Sequence, residues 1–323
     1  MKFSKNSWER KTPAVNLPEQ LILEMLDAPF PNQKLTFCEP LESGLANTKI
    51  RLKFEGLEQL FLLRVYTRNR NALDQEMLLS ERFGKEVPMP EFVYTNKNFR
   101  GYSYAIQKWI EGKPLYEVFN NENALNLKAI AKEVAIVLSR IAGHTFKNGG
   151  FFKENLEVIP FEMGKNAMHP FVSYIQDCLF KGYVGKWIDQ NLKDVVWKYV
   201  LENQSLFPAL EPASLVHGDF NPDNILINEK TLTISAILDW EYAFSGSFLF
   251  DIGTALRFDV PSHYEKTFIE VYEAERNIKL PPEWRKMIKL QDLSNLVGLI
   301  NTPHECPTMI RDIQTLISES INT

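Results

Sequence analysis

His217-Gly218-Asp219-Phe220-Asn221-Pro222-Asp223-Asn224-Ile225-Leu226, followed by Ile237-Leu238-Asp239-Trp240-Glu241, is the stretch whose reading decides the fold. Asp219 and Asn224 stand in a polar loop between two strand-like runs, Ser214–Val216 and Ile225–Ile227. Asp239 follows Asn224 by fifteen residues, at the end of another such run, Ala236–Leu238. Phosphoryl transfer needs one carboxylate to orient and deprotonate an attacking hydroxyl, and further oxygen ligands to hold Mg²⁺ on the nucleotide phosphates. A His-x-Asp-x-x-x-x-Asn loop with a later strand-end Asp meets that need. Any one of these residues alone reads as a turn former or helix cap. The two spacings with both flanking apolar runs in register are what give the stretch weight.

Outward from this loop, the first third reads as β-rich. A short helical pattern spans Pro18–Leu26; strand candidates follow at Thr36–Leu41, Thr48–Phe54 and Gln59–Thr67, with Glu55-Gly56-Leu57-Glu58 as a turn. A helix is expected over Ala72–Phe83, with Asn71 as N-cap and Gly84 as stop. Val87-Pro88-Met89-Pro90 then interrupts the chain before strand candidates at Glu91–Tyr94 and Ser103–Ile110. Beyond Gly112 the pattern turns helical. Leu127, Ile130, Ala131, Val134, Ala135, Leu138, Ile141 and Ala142 recur at helical spacing. Further helical patterns lie at His169–Phe180 and Lys186–Asn203. Ser262 with Glu265 forms a capping-box pattern, Tyr264, Phe268, Val271 and Tyr272 share a face, and Pro281–Ile300 and Pro307–Ile317 close the chain. The expectation is a nucleotide-binding unit over 1–107 and a helical unit with catalytic loop and acceptor site over 108–323.

Composition sets the bounds. In 323 residues, apolar residues make up 45% and charged ones 24%, with 15 glycines and 18 prolines, as in a globular chain. Lys plus Arg number 36 against 41 Asp plus Glu, a net charge of −5, which argues against a nucleic-acid partner bound by charge. No apolar run approaches the roughly 20 residues of a membrane span. The basic start Met1-Lys2-Phe3-Ser4-Lys5 leads into polar residues, not an apolar signal core. Cys38, Cys178 and Cys306 are scattered, as free thiols are, and no HExxH or Cys/His cluster suggests zinc. A cytoplasmic protein with no membrane or nucleic-acid partner is expected.

His217–Leu226 with Ile237–Asp239 resembles the catalytic core of the aminoglycoside phosphotransferase and choline kinase superfamily, and the resemblance covers about residues 35–275. It implies an α+β, two-lobed protein-kinase-like fold: a small lobe with a five-stranded antiparallel sheet and one helix, and a larger, mostly helical lobe. It implies Asp219 as catalytic base, Asn224 and Asp239 as Mg²⁺ ligands, and ATP or GTP as co-substrate. His217 and Asp251, the latter in Phe250-Asp251-Ile252-Gly253, are expected to brace the loop. Ser43, Gly44, Asn47 and Thr48 fall where the family covers the phosphates, Arg64 where kinases carry a strand-three lysine, Glu76 where its charge partner belongs, and Gln107, Trp109 and Ile110 beside the adenine. The phosphate loop is not Gly-x-Gly-x-x-Gly. Arg64 departs from Lys, although members of the superfamily carry Arg there, and Lys53 is a weaker stand-in.

Only eleven residues, Trp240–Phe250, separate Asp239 from Asp251, and no Ala-Pro-Glu follows, so a protein substrate is not expected. The acceptor is expected to be a small molecule bound by the helical part, with Trp240, Glu241, Asp259 and Glu265 as candidate contacts, joined by Glu270, Glu273, Trp187 and Tyr264. An acidic lining would suit an aminoglycoside, and an aromatic cage a quaternary amine. Two other readings compete. A non-catalytic nucleotide-binding module would account for Arg64. A metal-dependent hydrolase using His217, Asp219 and Asp239 leaves Asn224 and the β-rich part unexplained.

Overall fold

The computed structural model describes residues 5–41, 44–258 and 260–322. The N-terminal part contains α1 (Glu19–Asp27), β1 (Leu35–Leu41), β2 (Thr48–Phe54), β3 (Phe61–Val65), α2 (Ala72–Phe83), β4 (Phe92–Phe99) and β5 (Tyr102–Lys108). The five strands form one antiparallel sheet in the order β1-β2-β3-β5-β4. Strand periodicity sends alternate side chains to opposite faces. Ile50, Leu52 and Phe54, with Leu63, Val65, Tyr104 and Ile106, bury one face against Ile22, Met25 and Leu26 of α1. Lys49, Arg64 and Ala105 lie in register on the other face, which α2 partly covers through Leu73.

Two details here differ from the sequence expectation. The strand expected to stop at Tyr94 runs on to Phe99, because Arg100 and Gly101 (φ 50° and 86°) make a tight left-handed turn into β5. Asn71 is helical and its side chain caps nothing in α2. Gly84 ends α2 as expected, in a right-handed conformation, donating its N–H to the Ser80 carbonyl at 2.8 Å.

The C-terminal part continues through β6 (Lys113–Pro114), α3 (Leu115–Asn121), α4 (Ala124–Gly143), β7 (Thr145–Phe146), β8 (Gly150–Phe152), β9 (Val158–Pro160), α5 (Pro170–Phe180) and α6 (Gln190–Glu202). Then come β10 (Ala213–Val216), β11 (Ile225–Asn228), β12 (Thr233–Ile237), β13 (Phe244–Gly246), α7 (Leu249–Ala255), α8 (Ser262–Arg276), α9 (Trp284–Ile300) and α10 (Pro307–Ile321). Asn123 caps α4 by accepting from the Leu125 and Asn126 amides, and every apolar position of its expected stripe is buried. That stripe packs on Tyr264, Phe268 and Tyr272 of α8. The expected capping box of α8 is absent: Ser262 is already helical, Pro261 precedes it, and Glu265 pairs instead with Arg285 at 2.6 Å. Two small sheets, β7-β10-β13-β8-β9 and β12-β11-β6, carry the loops facing the N-terminal sheet. The loop from β10 to β11 passes from one to the other. Among the described residues, no helix is long and apolar enough to cross a membrane.

Candidate active site

The segment 217–224 is held from three sides. Asp251, buried on α7, accepts the His217 amide at 2.7 Å and the Gly218 amide at 3.0 Å. The His217 ring lies against Trp240, takes the Asp219 amide on Nδ1 at 3.1 Å, and donates from Nε2 to the Leu238 carbonyl at 2.9 Å. This bonding requires a neutral imidazole, and burial pushes its pKa down to about 4. Burial likewise raises Asp251 to about 7, against the lowering effect of its two amide bonds. Gly218 has φ 81°, and a Cβ there would lie 2.3 Å from the Tyr242 carbonyl oxygen, so only glycine fits. Asn295 of α9 donates to the Gly218 carbonyl at 3.2 Å, and Thr254 to that of Phe220 at 3.3 Å.

This frame presents the Asp219 carboxylate to the cleft. Asn221 donates to Oδ1 and Asn224 to Oδ2, both at 2.9 Å. The donor side of Asn224 is thereby used on Asp219, which leaves its amide oxygen as a ligand atom. Asp239 stands just past β12 in a left-handed conformation (φ 60°, ψ 61°), unusual for a non-glycine residue. Its Oδ1 meets Arg64 Nη1 at 2.9 Å and its Oδ2 lies 4.0 Å from Lys49 Nζ. Burial would raise its pKa, but Lys49 and Arg64 outweigh it and hold the carboxyl well below the usual range. Asn224 and Asp239 thus offer hard oxygen donors, one of them firmly ionised. That donor set fits Mg²⁺ completed by phosphate oxygens and water.

On the sheet side, the buried Arg64 also contacts Glu76 Oε1 at 3.1 Å and lies over the Tyr66 ring, whose hydroxyl donates to Glu76 Oε2 at 2.7 Å. Glu76 is therefore not a solvated helix-face carboxylate. Gln107, Trp109 and Ile110 line the cleft, yet the Trp109 amide is spent on the Leu60 carbonyl at 2.9 Å and its carbonyl on Gln59. Gly44 and Asn47 line it too. Thr48 does not: its hydroxyl accepts the Val15 amide at 2.9 Å. Ser43 and Asp259 lie outside the described residues.

The remaining acceptor candidates separate. Glu241 lines the cleft, paired with Arg68 at 2.8 Å. Trp240 is buried beneath the loop, its indole donating to the Ile237 carbonyl, and touches no acceptor space. Glu265, Glu270 and Glu273 make ion pairs with Arg285, Lys266 and Lys279 away from the cleft. Trp187 bonds the Thr302 carbonyl and Tyr264 is buried against α4. The Lys53 stand-in is also displaced: it is exposed, whereas Lys49, four positions earlier on the same strand, points to Asp239.

Three cleft residues had no local sequence signal. Lys5 Nζ reaches Asp219 Oδ1 at 2.5 Å. Arg10 donates to the carbonyls of Gly44, Ala46 and Asn47 at 2.8, 3.0 and 3.1 Å, pinning the 44–47 loop beside the cleft. Lys49 is the third, opposite Arg64 on β2. Residues 5–11 form a strap: Trp8 is buried and donates to Asp312 at 3.1 Å, Glu9 accepts the Thr308 and Met309 amides at the start of α10, and Lys11 donates to the Leu299 carbonyl at 2.6 Å.

Residues 38–289 match the phosphotransferase enzyme family. No curated protein matches the sequence. Among solved structures, the chain is similar to a thermostable mutant of aminoglycoside phosphotransferase APH(4)-Ia in ternary complex with ADP and hygromycin B. The TM-score is 0.67 at 16% identity, covering 93% of this chain and 97% of that one. It is also similar to APH(2″)-IIa in its streptomycin–ATP ternary complex, with TM-score 0.62 at 17% identity over 96% of this chain and 97% of that one. ADP-bound APH(2″)-Ib gives 0.61 at 17% identity over 95% and 99%. At these identities the likeness is one of fold.

Proposed function

The chain belongs to the phosphotransferase enzyme family, and on that premise we propose that it moves the γ-phosphoryl group of ATP or GTP to a hydroxyl of a small molecule. The single observation that carries the reading is the Asp219 carboxylate, aimed into the cleft by Asn221 and Asn224 and sharing that cleft with Asp239. Asp219 takes the acceptor's hydroxyl proton as the oxygen attacks phosphorus. The new oxygen–phosphorus bond forms while the bond to the bridging oxygen breaks, and its electron pair leaves with the nucleoside diphosphate.

Asn224 and Asp239 would hold Mg²⁺ through oxygen atoms. Bound there, the ion offsets phosphate charge. Arg64 orients Asp239 and is itself fixed by Glu76. The neutral His217 and the carboxylate of Asp251 keep the loop in place, and neither takes a proton from substrate. The N-terminal sheet, with residues 107–110 at its exit, forms the nucleotide side, and the helical part beyond them carries the catalytic loop and the acceptor side.

A second reading, a nucleotide-binding module without turnover, is favoured by one observation: Arg64 is engaged by two carboxylates, which leaves it less free for phosphate. The test is a nucleotide-consumption screen with Mg²⁺ against hydroxyl compounds of several classes, beside thermal shift with ATP and GTP. Acceptor-dependent ADP or GDP release is expected. Nucleotide-induced stabilisation without turnover on any acceptor favours the module, and no nucleotide effect at all rejects both readings.

A further inference from the structure

Among the described residues, the cleft's carboxylates are engaged by the protein itself, which leaves a polycation little to bind. Among the described residues five carboxylates line the cleft, and each has an oxygen held by the protein. Asp219 holds Lys5, Asp239 holds Arg64, Glu241 holds Arg68, Glu9 caps α10, and Asp223 accepts the Lys5 amide at 3.3 Å. Beside the two paired cations, Lys5 and Arg68, stands Lys11, whose ammonium bonds only the Leu299 carbonyl among the described residues. They are close enough to feel one another: burial, together with the charges of Arg68 and Lys5, pushes Lys11 down to about 8.

Part of the wall is aromatic and exposed, with Arg68 over the Tyr242 ring. Phe151, Tyr174 and Tyr242 are 62%, 46% and 45% exposed, a large apolar area for side chains that all line one cleft. Phe171, Phe244 and Phe250 stand behind them in edge-on and tilted contact. The surface is tied to the chemistry by two close approaches. Gly218, next to the base, lies against the Tyr242 main chain, and the Tyr174 hydroxyl lies over Gly298, one helical turn past Asn295, which bonds the Gly218 carbonyl. The strap 5–11 closes the far side and lies outside the span that matches the family.

We propose that the acceptor is a hydroxyl compound with a flat apolar or aromatic body and no positive charge, held between Phe151, Tyr174 and Tyr242 with Lys5 and Lys11 of the strap as a cationic wall. This rests on the phosphotransferase reading of the same cleft. Flat rings stack on such side chains, whereas an ammonium-bearing acceptor would have to displace Lys5 or Arg68 to reach Asp219 or Glu241, with Lys11 beside them.

The test uses the full chain. 4-Hydroxybenzyl alcohol, 7-hydroxycoumarin and 4-hydroxybenzoate are compared with kanamycin and choline, by calorimetric binding without nucleotide and by ADP release with Mg²⁺ and ATP. The aromatic probes are expected to bind and at least one to be phosphorylated, with neither cation turned over. Phe151→Ala and Tyr174→Ala, both at exposed positions, should raise the aromatic probe's KM about 5- to 10-fold and leave the KM for ATP unchanged. Turnover of kanamycin or choline overturns the inference and keeps the phosphotransferase reading, as does failure of all aromatic probes to bind. Aromatic binding without any phosphoryl transfer supports the pocket's preference and counts against the phosphotransferase reading.

Discussion

Replacing Gly218 by alanine separates backbone strain from close approach, because Gly56 provides a matched control. Both have positive φ, 81° and 75°, but a Cβ on Gly56 would meet nothing within 4 Å, whereas on Gly218 it would sit 2.3 Å from the Tyr242 carbonyl oxygen. Gly56→Ala therefore carries only the left-handed backbone cost, about 1–2 kcal/mol. Gly218→Ala adds an overpacking cost of about 1–3 kcal/mol. Restoring ordinary contact distance means moving the loop or the 240–243 turn by about 1 Å. An unfolding entropy of about 0.7 kcal/mol/K for a chain of this size makes each kcal/mol worth about 1.5 °C in Tm. Calorimetry should then show a loss of about 1.5–3 °C for Gly56→Ala and about 3–7 °C for Gly218→Ala. Asp219 is the next residue, and a displacement of about 1 Å beside the chemistry costs on the order of 100-fold in turnover. Equal Tm losses in the two variants, with Gly218→Ala at wild-type turnover, would refute the claim that the loop is positioned by its approach to Tyr242.

Arg64→Met leaves Glu76 without its buried cation and should destabilise by about 3–5 kcal/mol. Glu76→Met added to it should cost much less than the sum of the two single changes, and strictly additive losses in a denaturant double-mutant cycle would contradict the coupling. His217 is pushed down to about 4 in the fold from an ordinary 6.5, so between those values the unfolded chain binds the extra proton. Its contribution is therefore complete above pH 6.5 and is lost as pH falls toward 4, by about 3 kcal/mol in all. Calorimetry from pH 7 to pH 5 should show a shallower fall in Tm for His217→Gln than for the parent chain; identical slopes would mean that another group sets the response.

What could be read from sequence followed from locality. The segment 213–239 was legible because two short apolar runs frame a polar loop at fixed spacing, and β2 because its alternation is regular. The stripe of α4 was legible for the same reason. β13 and the short helix α7 were not, since β13 is defined by pairing with β10 and β8, far away in the chain. The capping residues proposed for α2 and α8 failed because a cap depends on backbone conformation, and Asn71 and Ser262 are already helical. Trp240 was misplaced because an aromatic residue next to a loop carboxylate such as Asp239 looks the same in sequence whether it faces the cleft or, as here, supports the loop. Lys5 and Arg10 had no local signal. They reach Asp219 and the 44–47 loop only because Trp8 anchors the strap on α10, and such contacts between the ends of the chain leave no periodicity to detect.

The most direct test is turnover by Asp219→Asn on any acceptor found in the nucleotide-consumption screen, with the thermal shift by ATP and Mg²⁺ measured on the same sample. Asparagine keeps the shape and cannot accept the hydroxyl proton. The nucleotide shift should persist while turnover falls by about 10²- to 10⁴-fold. Full turnover with the nucleotide shift intact would contradict the assignment of Asp219 as the base.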